Sequence, residues 1–150
     1  MIAYRMLALA CLLCGVPLGG QAQTYEIKGE GVRFQPEIIH ARIGDVIAFR
    51  KMVPHAVESI DAMWPQGAEG LNSSLGADVD YVIATEGVYV FRCPQHWRAR
   101  MVGAIVVDGT EDVPGIVAGM LENADSEMLK PAKRLLKRLA VLYPRPVETP

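Results

Sequence analysis

The chain has 150 residues, with 15 Lys and Arg against 17 Asp and Glu, and a formal charge of −2. That length suits one domain with one hydrophobic core. The slight acidic excess argues against wholesale nucleic-acid binding.

Residues 1–22 read as a secretory signal peptide. Arg5 precedes the apolar run Met6–Leu13, and the small-residue pattern Gly20-Gln21-Ala22 places cleavage after Ala22. The run is too short for a permanent membrane span, so no stable membrane association is expected. Cys11 after Ala8-Leu9-Ala10 is a weak lipoprotein signal. Removal of residues 1–22 also removes Cys11 and Cys14, which leaves Cys93 as the single cysteine of residues 23–150. No intramolecular disulfide is then possible, and an exported lone cysteine points to intermolecular pairing, a reactive thiol or a metal thiolate.

Short strands follow. Tyr25–Lys28 alternates, and Phe34–Ile43 carries a strand interrupted by Pro36. Val46–Phe49 follows the Gly44-Asp45 turn. His55–Ile60 alternates again, with His55 and Val57 on one face. Met63–Gly76 has no period and reads as a long surface excursion. Val79–Thr85 and Val88–Cys93 flank the Glu86-Gly87 turn, and Met101–Asp108 is the last strand. Strands without intervening helices predict an antiparallel sandwich. Cys93 shares a face with the core residues Tyr89 and Phe91, and Met101 with Ile105 and Val107, so both sulfurs are expected to point inward.

Beyond Gly109 the pattern becomes helical, over Pro114–Asn123 and Ser126–Tyr143. Met128, Ala132, Leu135, Leu136, Leu139 and Leu142 recur at helical spacing, with lysines and arginines between them. Pro131 is awkward inside a helix and suits its first turn. The expectation is a helical pair over residues 114–143, packed on the sandwich, with a solvated basic face.

Chemistry concentrates in the nine residues Cys93–Met101, where Cys93, His96 and Met101 lie between two strands. A thiolate, an imidazole and a weak thioether together suit copper, and His55 is the candidate fourth ligand. Methionine is not a usual zinc ligand. His40 has no partner at useful spacing, and Trp64 is expected to cover the sandwich. Met52, Met63, Met120 and Met128 are too dispersed for a copper-transport cluster and read as mostly core. Trp97, after a candidate ligand, reads as a lid of the site or a partner contact.

The chain resembles the cupredoxins, and within them the pseudoazurins. Met63-Trp64-Pro65-Gln66-Gly67-Ala68-Glu69 is similar to that family's Met-Ile-Pro-x-Gly-Ala-Glu segment. Gly87–Cys93 resembles its strand into the copper cysteine, and Met101-Val102-Gly103 its strand out of the axial methionine. The resemblance implies a cupredoxin-like Greek-key β-sandwich of about eight strands with two C-terminal α-helices. It implies one type 1 copper ion on His55, Cys93, His96 and Met101, cycling between Cu(I) and Cu(II), with electrons passing through the exposed edge of His96. It also implies a monomeric periplasmic carrier, not an enzyme, that meets a transient redox partner such as a nitrite reductase. Arg98 and Arg100 beside that exit are expected to steer an acidic partner face.

The chain departs from the family after two ligands. Ala56 and Pro94 stand where relatives have Asn and Thr that tie the ligand loops together, and Gln95 replaces a proline, so its amide is free to donate to the thiolate. Two other readings differ in class. One is a copper-delivery protein, which would use exposed Met or His clusters. The other is a thiol enzyme with Cys93 as nucleophile and His96 as base, which leaves His55 and Met101 unexplained.

Overall fold

The computed structural model describes residues 20–145, so most of the expected signal segment lies outside the described residues. Among the described residues, eight strands form two four-stranded sheets: β1 (Thr24–Glu30), β2 (Arg33–Gln35), β3 (Ile38–Ala41), β4 (Val46–Arg50), β5 (Glu58–Ser59), β6 (Val79–Val82), β7 (Val88–Arg92) and β8 (Val102–Val107). The sheet orders are β2-β1-β4-β6 and β3-β8-β7-β5. Two helices follow, α1 (Val113–Asn123) and α2 (Lys133–Leu142). The chain thus folds as the expected cupredoxin-like sandwich with a helical pair.

The expectation of purely antiparallel sheets is corrected: β1 pairs with β4, and β3 with β8, in parallel. Alternating side chains report which face of a strand is buried, but not the direction of its neighbour.

Two apolar clusters hold the fold together. Between the sheets, Phe91 meets Phe34 and Phe49 edge to face at 4.9 and 5.1 Å between ring centroids, among Ile27, Ile47 and Ile105. The reverse face of β7 and β8 presents Val88, Val90, Val102, Ala104 and Val106 to Val117, Leu135, Leu136 and Leu139 of the helices. All six residues of β8 are therefore buried, which accounts for the unbroken apolar run Val102-Gly103-Ala104-Ile105-Val106-Val107. Trp64 covers one flank of the sandwich as expected, edge to face with Tyr81 and Tyr89.

Three local expectations are corrected. Only Glu58 and Ser59 of His55–Ile60 join a ladder; His55 lies in the loop after Pro54, whose missing N–H suits it to a turn. Ser126–Leu129 is not helical: a 3-10 turn at Lys130–Ala132, with Pro131 in its first positions, leads into α2. Met128 and Leu142 are exposed in spite of their helical spacing.

Candidate metal centre

Cys93 immediately follows β7 and Met101 immediately precedes β8, so pairing of these two strands brings both sulfur residues to one end of the sandwich. The Cys93 N–H donates to the Met101 carbonyl at 3.0 Å. Inside the loop so closed, the His96 carbonyl accepts from Ala99 and Met101 at 3.0 and 3.2 Å. Residues 97–99 form a 3-10 turn, and Arg100 reverses the chain at φ 64°. Both Cys93 and Met101 are fully buried in the core between the sheets, as the alternation along β7 and β8 predicts.

His55 reaches the same place from its loop. Its carbonyl accepts from Gly76 at 2.7 Å, and the Ser73 hydroxyl accepts from the Val57 N–H at 2.9 Å. Asp78 accepts the Met52 N–H at 3.1 Å. The long excursion over residues 63–76 thus has a structural use, because its far end fastens the His55 loop. On the other side the ring rests on strand β1: a methyl group built on Gly29 would lie 2.5 Å from His55 Cδ2. No sequence signal marked Gly29, Ser73 and Asp78, whose part is to support the His55 loop.

Three donor atoms converge. His55 Nδ1 and His96 Nδ1 are 3.2 Å apart, and Cys93 Sγ lies 3.5 Å from His96 Nδ1 and 4.0 Å from His55 Nδ1. Two nitrogens and a sulfur about 2.0–2.3 Å from one ion in a trigonal plane would be roughly 3.6 Å apart, so this triangle fits a single metal ion. Burial, reinforced by the neighbouring His96 ring, holds the His55 pKa below its ordinary value, which favours the neutral imidazole that metal binding requires. His55 is buried, whereas His96 is only partly so and stands at the surface. The structure therefore gathers His55, Cys93 and His96 into one potential metal cluster, and Met101 is buried and joined to Cys93 through the backbone.

Gln95 meets the sulfur differently from expectation: it is the side chain that approaches, with the Cys93 thiol donating to Gln95 Oε1 at 3.4 Å. His40 stands apart from the cluster, hydrogen-bonded to Tyr143 at 2.8 Å. Trp97 packs beside the helical extension and is partly buried there. Arg98 and Arg100 are exposed. They share a cleft with Arg33, Arg134 and Arg138, so the ligand loop and the basic face of α2 form one surface.

A two-sheet sandwich with a buried Cys and two converging His at one end defines a cupredoxin. The chain belongs to the copper-binding proteins of the plastocyanin/azurin family, whose pattern matches residues 21–108. Among curated proteins it is similar to the pseudoazurin of Methylorubrum extorquens, 34% identical over 80 residues, or 53% of this chain. That match spans 54% of the relative's length. A solved pseudoazurin from Methylobacterium extorquens superposes with a TM-score of 0.63 at 27% identity, covering 77% of this chain and 98% of that one. One from Sinorhizobium gives 0.66 at 20% identity, covering 81% and 98%, and shows the shared fold. Proteins of this family bind one copper ion and carry electrons; they are not enzymes.

Proposed function

We propose that the chain, once residues 1–22 are removed, is a monomeric periplasmic one-electron carrier whose single domain over residues 23–150 holds copper on His55, Cys93, His96 and Met101. The observation that carries this reading is the triangle of His55, Cys93 and His96 donors. Bound copper supplies a one-electron Cu(I)/Cu(II) couple. Cys93, its backbone N–H held by the Met101 carbonyl, offers the thiolate, and the buried His55 offers an imidazole nitrogen. Hydrogen bonds within the two ligand loops, anchored on β7 and β8, hold the donors in place, as both oxidation states require. His96 brings the site to the surface, and electrons leave by its exposed edge.

The partner is a transient redox enzyme, by family resemblance of the nitrite reductase kind, with an acidic docking face. The charge of the loop supports this: Arg98 and Arg100 stand beside His96 and continue into the basic face of α2. Titrating the metal-free protein with Cu(II) tests the reading. An intense copper–thiolate band, saturating at one equivalent and bleaching reversibly with reductant, is the expected result. Binding without that band would indicate a delivery protein, and a thiol that reacts without holding copper would indicate an enzyme.

A further inference from the structure

The side chains after His55 and Cys93 are those of Ala56 and Pro94, which have no polar atoms with which to tie the ligand segments together. A different set of contacts links those segments. Arg92, the last residue of β7 and the neighbour of Cys93, reaches Glu58 on β5 through Nε and Nη2, both at 3.3 Å. Glu58 lies three residues beyond His55. Both side chains of this ion pair are about two-thirds buried or more, with 26% and 33% of their surface exposed, so salt screens it less than an open surface pair. The same guanidinium lies over the ring of Trp97, 5.3 Å from its centroid. Trp97 follows His96, and its indole Nε1 donates to the Met128 carbonyl at 3.1 Å, in the connection between α1 and α2.

A continuous line of contacts therefore runs from Glu58 through Arg92 and Trp97 to the backbone of Met128. It touches the neighbourhood of each of the three donors and ends on the helical extension. We infer that Trp97 is a positioning residue: gripped by Arg92 on one side and by the Met128 carbonyl on the other, it fixes the backbone of His96. The C-terminal helices are then part of the mechanical support of the metal centre. Its relevance to copper rests on the reading proposed above, but the mechanical claim is separable from it.

Amide hydrogen exchange on the full metal-free chain tests that claim directly. Trp97→Phe keeps an aromatic face for Arg92 but cannot donate to Met128, and Trp97→Ala loses both contacts. The amides of Ala99, Arg100 and Met101 should exchange about tenfold faster in Trp97→Phe, as for the loss of one hydrogen bond, and faster again in Trp97→Ala. Amides of β4 and β8 should keep their protection in Trp97→Phe. In the copper-loaded protein the relative intensities of the visible bands should shift in the same order. Loop amides as protected in Trp97→Phe as in the unaltered protein would overturn the inference, as would a loss of protection spread evenly over the domain. If the unaltered protein showed no copper–thiolate band, the ligand reading would fall while the exchange result still decided the role of Trp97.

Discussion

The Cys93 N–H donates to the Met101 carbonyl at 3.0 Å, closing the stretch between the two sulfur residues into one loop. His96 lies inside that loop, and its carbonyl in turn accepts the Met101 N–H. The two sulfur residues thus stand at the two feet of a hairpin whose legs, β7 and β8, are among the most buried strands of the fold. Cys93→Ala should leave the sandwich folded and abolish the copper–thiolate band. Met101→Gln should keep a coloured centre and shift its potential, because the axial ligand tunes the metal more than it holds it. Visible spectra and voltammetry of the two variants check both outcomes.

Gly29→Ala should disturb the centre from the opposite sheet. The added methyl group would lie 2.5 Å from His55 Cδ2 and 3.1 Å from the Lys51 carbonyl, so the imidazole has to move. A cost of about 1–3 kcal/mol is expected for such overpacking, together with weaker copper binding. Denaturant unfolding of the metal-free protein and competitive copper titration measure the two effects separately. Unchanged copper affinity would mean that the ring can retreat without losing its aim.

Replacing Arg98 and Arg100 together with Gln should leave the visible spectrum unchanged and slow electron transfer to an anionic oxidant such as ferricyanide at low ionic strength. Exposed charges act mainly on encounter, so the dependence of the rate on salt should flatten. Stopped-flow oxidation across a salt series reads this directly. Identical salt slopes for the two proteins would leave both arginines as solvated bystanders.

Alkali should unfold the protein through its buried tyrosines. Burial, with the neighbouring Tyr89, pushes the Tyr81 pKa up from 10.0 to about 12, and burial also raises that of Tyr89. Their hydroxyls donate to the carbonyls of Glu69 and Thr85, both at 2.6 Å. Above pH 10 the unfolded chain releases phenolic protons that the native state retains, so stability is full below that pH and falls as pH rises toward about 12. The denaturation midpoint should therefore be lower at pH 11 than at pH 8, and Tyr81→Phe should reduce the difference.

The residues proposed as ligands stand out in the sequence because the chemistry of three of them is local. Cys93, His96 and Met101 fall within one loop, and alternation along the flanking strands places both sulfurs on the core face before any partner strand is known. The helical pair was legible for a similar reason, since Leu135, Leu136 and Leu139 repeat at helical spacing and are all buried. The strand read through His55 was not found, because apolar alternation there reflects burial in a loop fastened by Ser73 and Gly76 instead of ladder pairing.

What the sequence by itself determined is the set of donor types, their spacing in one loop and the faces of the strands that carry them. Only the tertiary structure decided that His55 meets that loop at hydrogen-bonding distance, that β1 and β4 run parallel, and that Trp97 fastens the ligand loop to the helices. The physical reason is separation along the chain. A side-chain period describes one strand or one helix, whereas the contacts of His55 with His96, Gly29 with His55, and Trp97 with Met128 join segments that meet only when the sheets and helices have packed.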